Sequence, residues 1–146
     1  MPKVRGCELP EELLYDVPNH TWFRELDDGT VRIGMTMVAV AMAGQLVAFT
    51  PKRIGRRVEA GKSCATVESG KWVGPAKSAA AGEVVAVNAE LVAQPSLANQ
   101  DPYGAGWMVT LRPDDWAAAS ASLTPGTGVA PEYEAKMDAD GFSGCA

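Results

Sequence analysis

Polar and apolar positions alternate through Thr30-Val31-Arg32-Ile33-Gly34-Met35, the mark of a half-buried strand. Asp27-Asp28-Gly29-Thr30 precedes it as a turn, with Asp-Gly as the hairpin signal. Thr36 is placed to cap a short helix through Ala43, and Gly44 to end it. A strand over Gln45–Phe49 follows, broken by Pro51, and Val58 precedes a Glu59-Ala60-Gly61-Lys62 turn. Cys64–Glu68 reads as a strand with Cys64, Thr66 and Glu68 on one face and Ala65 and Val67 on the other. Ser69-Gly70 is a turn dipeptide, and Gly82–Val87 is the next strand. Asn88–Asn99 is irregular or briefly helical, Trp107–Leu111 is the last strand, and Asp114–Ser122 is a helix candidate. Pro10–Phe23 is a short mixed entry segment. From Thr124 the chain is Gly/Pro-rich and then acidic, which suggests a tail over 124–146 behind a domain over 1–123.

With 146 residues, 47% hydrophobic and 21% charged, this is an ordinary globular composition of single-domain length. Fifteen glycines and ten prolines favour turns and short strands over long helices. The net charge of −5 argues against a nucleic-acid binder. The longest apolar stretch, Val38 to Phe49, is too short for a membrane span and contains Gly44 and Gln45. The N-terminus shows no apolar signal region, so a cytoplasmic location without membrane attachment is expected. Three scattered cysteines predict neither a disulfide framework nor a zinc site.

Catalytic groups are scarce. His20 is the only histidine, and a polar cap or a buried hydrogen-bonding role is expected for it ahead of catalysis. The segment Gly55–Ser63 resembles a phosphate loop but has five residues between its glycines instead of four, and a strand follows it where a helix is required. A carrier or binding role is therefore favoured over an enzyme. Gly44-Gln45-Leu46-Val47-Ala48-Phe49 echoes Gly82-Glu83-Val84-Val85-Ala86-Val87, and these two strands flank the turn at Ser69-Gly70-Lys71. Two small sheets in a pseudo-twofold pair would present that turn at an edge, with Lys71 solvated and reachable at its tip.

The chain resembles the H protein of the glycine cleavage system and its lipoyl-carrying relatives. The resemblance runs from His20-Thr21-Trp22 through Val31–Thr36, Glu68-Ser69-Gly70-Lys71, Gly82–Val85, Asn88–Leu91, Pro95 and Asn99–Tyr103 to Gly106-Trp107. It implies a mainly β, barrel-sandwich hybrid fold with short peripheral helices and a C-terminal helix or tail. It also implies a lipoyl group in amide linkage to Lys71, attached by a lipoate ligase or lipoyl transferase. Glu68 and Gly82 match positions associated with recognition by those enzymes. Biotin carriers share the fold but place methionines beside the lysine, where this chain has Gly70 and Trp72.

Two departures bear on the cargo. H proteins usually read Glu-Ser-Val-Lys-Ala at the lysine, and this chain reads Glu-Ser-Gly-Lys-Trp-Val-Gly-Pro. Lys52, Arg53, Arg56, Arg57 and Lys62 pack five of the 13 basic residues into a short span, a solvated loop or a docking site for an acidic partner or an anionic substrate. In both features the chain is similar to lipoate-binding proteins of the bacterial heterodisulfide-reductase-like sulfur-oxidising system. That likeness implies an arm shuttling sulfur intermediates and electrons between those enzymes. The alternative is an H protein carrying the aminomethyl group between glycine decarboxylase and aminomethyltransferase, with dihydrolipoamide dehydrogenase as a further partner. Trp72 is a candidate partner contact or hairpin-core residue. Cys64 is expected to be a small core residue, and Cys145 to be a candidate redox thiol in a flexible tail.

Overall fold

The structure is a computed structural model and describes residues 3–145. Twelve strands and five helices occur among the described residues. Seven strands form one antiparallel sheet. In spatial order they are β12 (Thr124–Pro125), β3 (Leu14–Asp16), β4 (Thr21–Glu25), β5 (Val31–Met35), β11 (Val109–Pro113), β10 (Gly82–Val87) and β7 (Arg57–Val58). A second sheet has the order β6 (Leu46–Pro51), β8 (Lys62–Ser69), β9 (Val73–Ser78). The hairpin β1 (Lys3–Val4) and β2 (Cys7–Glu8) stands apart. The two echoing strands thus lie in different sheets, β6 at the edge of the small one and β10 inside the large one.

Local chemistry accounts for the elements that carry the site. Leu26 accepts from the Gly29 amide at 3.1 Å and donates to Thr30 at 2.9 Å, with Gly29 at φ 84°, closing the β4–β5 hairpin. Thr36 Oγ1 accepts from the Ala39 amide at 3.2 Å and caps α1 (Met37–Ala43), which ends at Gly44 with φ 86°. Pro51 is tolerated in β6 because that strand is a sheet edge.

Two cores lie on opposite faces of the large sheet, and β4 serves both. Phe23 joins Val31, Ile33, Phe49, Val67, Val84 and Leu111 between the two sheets. Its neighbour Trp22 joins Leu13, Tyr15, Val38, Tyr133 and Met137 in the other core. Adding a Cβ at Gly34, opposite Trp22 across the β4–β5 pairing, would strike the indole, so the sheet can only carry glycine there.

Four expectations change. Within the expected tail over 124–146, the described residues 124–145 are not a free tail. They form β12 and α5 (Val129–Asp140), whose Val129, Tyr133 and Met137 are buried in the second core. The acidic composition of this segment hid three apolar contacts spaced four residues apart. Trp107 lies just before the β11 strand, and β12 follows it, so β11 is not the last strand. Cys64 does not share a face with Thr66 and Glu68. The β8–β9 register shifts between Ser63 and Ala65, and this irregularity turns Cys64 and Ala65 both inward. Finally, Cys7 and Cys145 form a disulfide across a sequence separation of 138 residues. Cys145 is therefore not a free redox thiol. The Cys145 amide donates to Arg5 O at 2.9 Å, and this pairing brings the two ends of the chain together. Cys64 is the free cysteine; it is fully buried, and burial raises its thiol pKa to about 12, as befits an unreactive core residue.

Short helices α2 (Ala89–Ala93), α3 (Leu97–Gln100) and α4 (Trp116–Ala121) fill in the periphery. None of the helices among the described residues is long and apolar enough to cross a membrane.

Candidate functional site

Lys71 is the middle of three residues, Gly70-Lys71-Trp72, that link β8 to β9 at the hairpin tip. The Ser69 amide donates to Trp72 O at 2.7 Å, and Ser69 Oγ lies 3.4 Å from both the Lys71 amide and Trp72 O. Ser69 is buried, so these contacts fix the turn from below while Gly70, Lys71 and Trp72 stay exposed. A Cβ on Gly70 would meet nothing within 4 Å, and the residue needs no positive φ, so the absence of a side chain there simply leaves the lysine bare on one side. Lys71 forms no ion pair among the described residues.

The lysine stem is not splayed into solvent. Its Cε lies 3.4 Å from where a Cβ on Gly44 would stand, so it lies over the C-terminal corner of α1. Asn99 holds that corner with both ends of its amide: its Nδ2 donates to Gly44 O at 3.0 Å and its Oδ1 accepts from the Leu46 amide at 2.9 Å. Beside it opens a groove of about 420 Å³. Helix α1 supplies Ala39, Met42 and Ala43 to one wall, and the hairpin supplies Lys71, Trp72, Pro75 and Ala76 to the other. Asn19, His20, Thr21 and Met35 complete the lining. Trp72 is 41% exposed and leans back over Gly74, where any Cβ would collide with its ring.

His20 takes up the hydrogen-bonding role expected for it. Its Nδ1 lies 2.8 Å from the Tyr133 hydroxyl, which also lies 2.9 Å from Thr36 Oγ1. Its Nε2 faces Asp140 at 3.6 Å. Burial, reinforced by Lys136, lowers its pKa below the ordinary value of 6.5 against the opposing pull of Asp140. The neutral imidazole is thus favoured at pH 7, with Nδ1 hydrogen-bonded to Tyr133 and Nε2 only facing Asp140. Burial raises the Tyr133 pKa well above the usual phenol value, so its hydroxyl stays protonated.

The remaining expected site residues are scattered. Glu68 is exposed on β8, paired with Ala48 and Val73 three residues before the lysine. Gly82 lies in the other sheet, paired with Val58 and Pro113, and a Cβ there would strike the Arg112 carbonyl. Close approach of β11 is reason enough for a glycine at that position. Lys52, Arg53 and Arg56 are exposed on the β6–β7 loop and form no ion pair among the described residues. Arg57 differs: it is engaged by Asp114 at 2.5 Å and by Glu59 at 3.4 Å, and these carboxylates raise its pKa. Exposed Ile54 sits among the free cations, and the loop is pinned by Gly55 N to Val84 O at 2.8 Å and Val84 N to Arg56 O at 2.9 Å. The groove and Asn99 were not legible as a site, because their residues come from five separate stretches of chain. The caps of α1 and the resemblance at His20-Thr21-Trp22, Val31–Thr36, Glu68–Lys71 and Asn99–Tyr103 named parts of it one at a time, without bringing them together.

Residues 13–135 match the glycine cleavage H-protein family. Glycine cleavage system H protein 5 of Aquifex aeolicus is 49% identical over 127 residues, covering 84% of this chain and 85% of that protein. H protein 2 of the same organism is 45% identical over 111 residues, covering 76% and 69%. A probable H protein 2 of Sulfurisphaera tokodaii is 43% identical over 114 residues, covering 77% of each. The crystal structure of a glycine cleavage system H protein from Mycobacterium marinum superposes with a TM-score of 0.75 at 35% identity, covering 88% of this chain and 98% of that one. The two-sheet architecture, the exposed hairpin lysine and these likenesses converge on one conclusion: this chain belongs to the glycine cleavage H-protein family.

Proposed function

We propose that Lys71 bears a lipoyl group in amide linkage and that the protein is a carrier, a substrate of partner enzymes with no catalysis of its own. The observation that carries this reading is an unpaired lysine at the tip of a hairpin fixed by Ser69, lying at the mouth of a largely apolar groove of about 420 Å³. The groove fits a hydrocarbon arm: Ala39, Met42, Ala43, Trp72, Pro75 and Ala76 offer it apolar contact, and amidation would remove the one lysine charge at its mouth. The bound group would supply a disulfide–dithiol pair for electron and group transfer, and the protein supplies position and a high effective concentration. Exposed Glu68 and the Gly82 position are proposed as contacts for a lipoate ligase or lipoyl transferase.

For the cargo, the names of the relatives support the aminomethyl group, carried between glycine decarboxylase and aminomethyltransferase and followed by reoxidation through dihydrolipoamide dehydrogenase. A second reading, transfer of sulfur intermediates in a heterodisulfide-reductase-like system, is favoured by the free cations at Lys52, Arg53 and Arg56, which suit an anionic substrate or an acidic partner. The Gly70-Lys71-Trp72 turn belongs to that same reading. We place the carrier in the cytoplasm, where the Cys7–Cys145 bond would be open to cellular thiols.

Intact mass of protein from a lipoylating host tests the carrier reading. Wild type is expected to gain one lipoyl adduct and Lys71→Ala none; bare wild type, or an adduct on Lys71→Ala, sinks it. Glycine-dependent turnover by glycine decarboxylase then separates the cargoes: use of the lipoylated protein supports the first, and no use supports the second.

A further inference from the structure

Strand pairing gathers more positive charge at one end of the small sheet than the β6–β7 loop alone supplies. The Lys52 amide donates to Cys64 O at 3.0 Å as the chain leaves β6. In the β8–β9 hairpin Lys62 pairs with Ser78, and Ser63 with Lys77. Lys52, Arg53, Arg56, Lys62 and Lys77 thus share this end. All five are exposed, and none forms an ion pair among the described residues. Glu59 and Asp114 are already engaged by Arg57. The chain as a whole carries −5, so this end gives it a marked charge asymmetry. Ile54, 64% exposed, stands among the cations of the loop. The loop is held in one shape by Gly55 N to Val84 O, Val84 N to Arg56 O and Arg56 N to Arg53 O at 2.8, 2.9 and 3.0 Å, with Gly55 at φ 92°. Lys71 stands at the opposite end of the sheet. Cys64, beside Lys52, lies five residues before Ser69, about 17 Å of strand away.

We propose that this cationic end docks an acidic protein surface, which holds the carrier by the end remote from Lys71 and leaves the arm free to reach a reaction site. The inference rests on the carrier reading and deepens its account of the partner. Five unpaired cations around one exposed isoleucine make a charged rim about an apolar centre, the anatomy of a protein interface. The fixed loop loses little freedom on binding, so less of the contact energy is spent on ordering it. A small anionic substrate is disfavoured, because cations serving it would stand beside Lys71 and these stand at the other end. A nucleic acid is disfavoured by the overall charge and by the lack of any aromatic residue between Phe49 and Trp72 on which a base could stack. An anionic membrane is disfavoured because Ile54 alone offers too little apolar surface for insertion.

The test uses the lipoylated full chain as substrate for glycine decarboxylase and for a heterodisulfide-reductase-like enzyme, and reads KM and kcat with whichever accepts it. A triple variant, Lys52→Glu with Arg53→Glu and Lys77→Glu, is expected to raise KM about tenfold or more at low salt. Its kcat and its lipoyl adduct by intact mass should match wild type, and the KM difference should shrink at high salt. Ile54→Ser should raise KM at both salt concentrations. If the triple variant melts below wild type, the neutral Lys52→Gln, Arg53→Gln, Lys77→Gln protein replaces it, with a smaller rise in KM expected. An unchanged KM overturns the proposal, as does a rise that salt leaves undiminished or a loss confined to kcat. Wild type that binds duplex DNA or phosphatidylglycerol vesicles at physiological salt, with that binding lost in the triple variant, assigns the surface to that polyanion and also overturns it. A wild type that takes no lipoyl adduct, or that neither enzyme accepts once lipoylated, overturns the carrier reading and this proposal together. A failure confined to the KM comparison leaves the carrier reading intact.

Discussion

The Tyr133 hydroxyl lies 2.8 Å from Nδ1 of His20, and the two rings stack with centroids 5.6 Å apart, although 113 residues separate them in sequence. The same hydroxyl reaches Thr36 Oγ1, the cap of α1. With Thr36 donating to Tyr133 and Tyr133 donating to His20, the hydroxyls of Thr36 and Tyr133 and the Nδ1 of His20 are satisfied together. Helix α5 is thereby tied to two walls of the groove: the β4 end through His20 and α1 through its cap.

Tyr133→Phe should therefore destabilise the protein by about 1–3 kcal/mol, because it strands the hydrogen-bonding capacity of His20 and Thr36 while keeping the ring in place. Denaturant unfolding at neutral pH measures this. A change within experimental error would mean that the network contributes nothing to folding.

The lowered pKa of His20 fixes the sign of a pH effect. The unfolded chain binds a proton near 6.5, and the folded chain binds it only at lower pH. This contribution to stability is complete above 6.5 and is lost as pH falls from there through the folded value. The groups around the ring are Tyr133, Asp140, Lys136 and Asp16. His20→Gln should flatten the stability profile on the acid side of 6.5, measured as melting temperature against pH. A profile as steep as wild type would place the titration elsewhere.

The Cys7–Cys145 disulfide closes almost the whole chain into a loop, and Arg5 reinforces the junction by donating to Phe142 O at 3.1 Å. Constraining so long a loop in the unfolded state is worth about 2–4 kcal/mol. Reductant should lower the melting temperature of wild type, and Cys7→Ser should show the lower value with or without reductant. Identical melting of oxidised and reduced wild type would count against a stabilising role.

Charge reversal should separate the basic residues of the β6–β7 loop. Arg53→Glu combined with Arg56→Glu removes two unpaired cations and should weaken binding to an acidic partner, most strongly at low salt. Arg57→Glu should weaken it less, because Asp114 and Glu59 already neutralise that guanidinium. Titration against glycine decarboxylase at low and high salt provides the comparison. Equal losses in the two variants would show that Arg57 leaves its carboxylates to dock.

Sequence by itself determined the local features: the Asp-Gly hairpin, the Thr36 and Gly44 caps of α1, the strand before Lys71 and the lysine at a turn. Each depends on the backbone preferences of a few adjacent residues, and those preferences survive in any fold. Tertiary structure alone decided that Cys64 turns inward at a strand irregularity, that an acidic terminal segment buries Tyr133 and Met137, and that Cys7 meets Cys145. It also decided that Thr21, His20, Met42 and Trp72 share one groove. These are contacts between segments distant in sequence. Their free energy comes from burial and from hydrogen bonds between partners that no local pattern names, so they exist only once the sheets and α5 have packed.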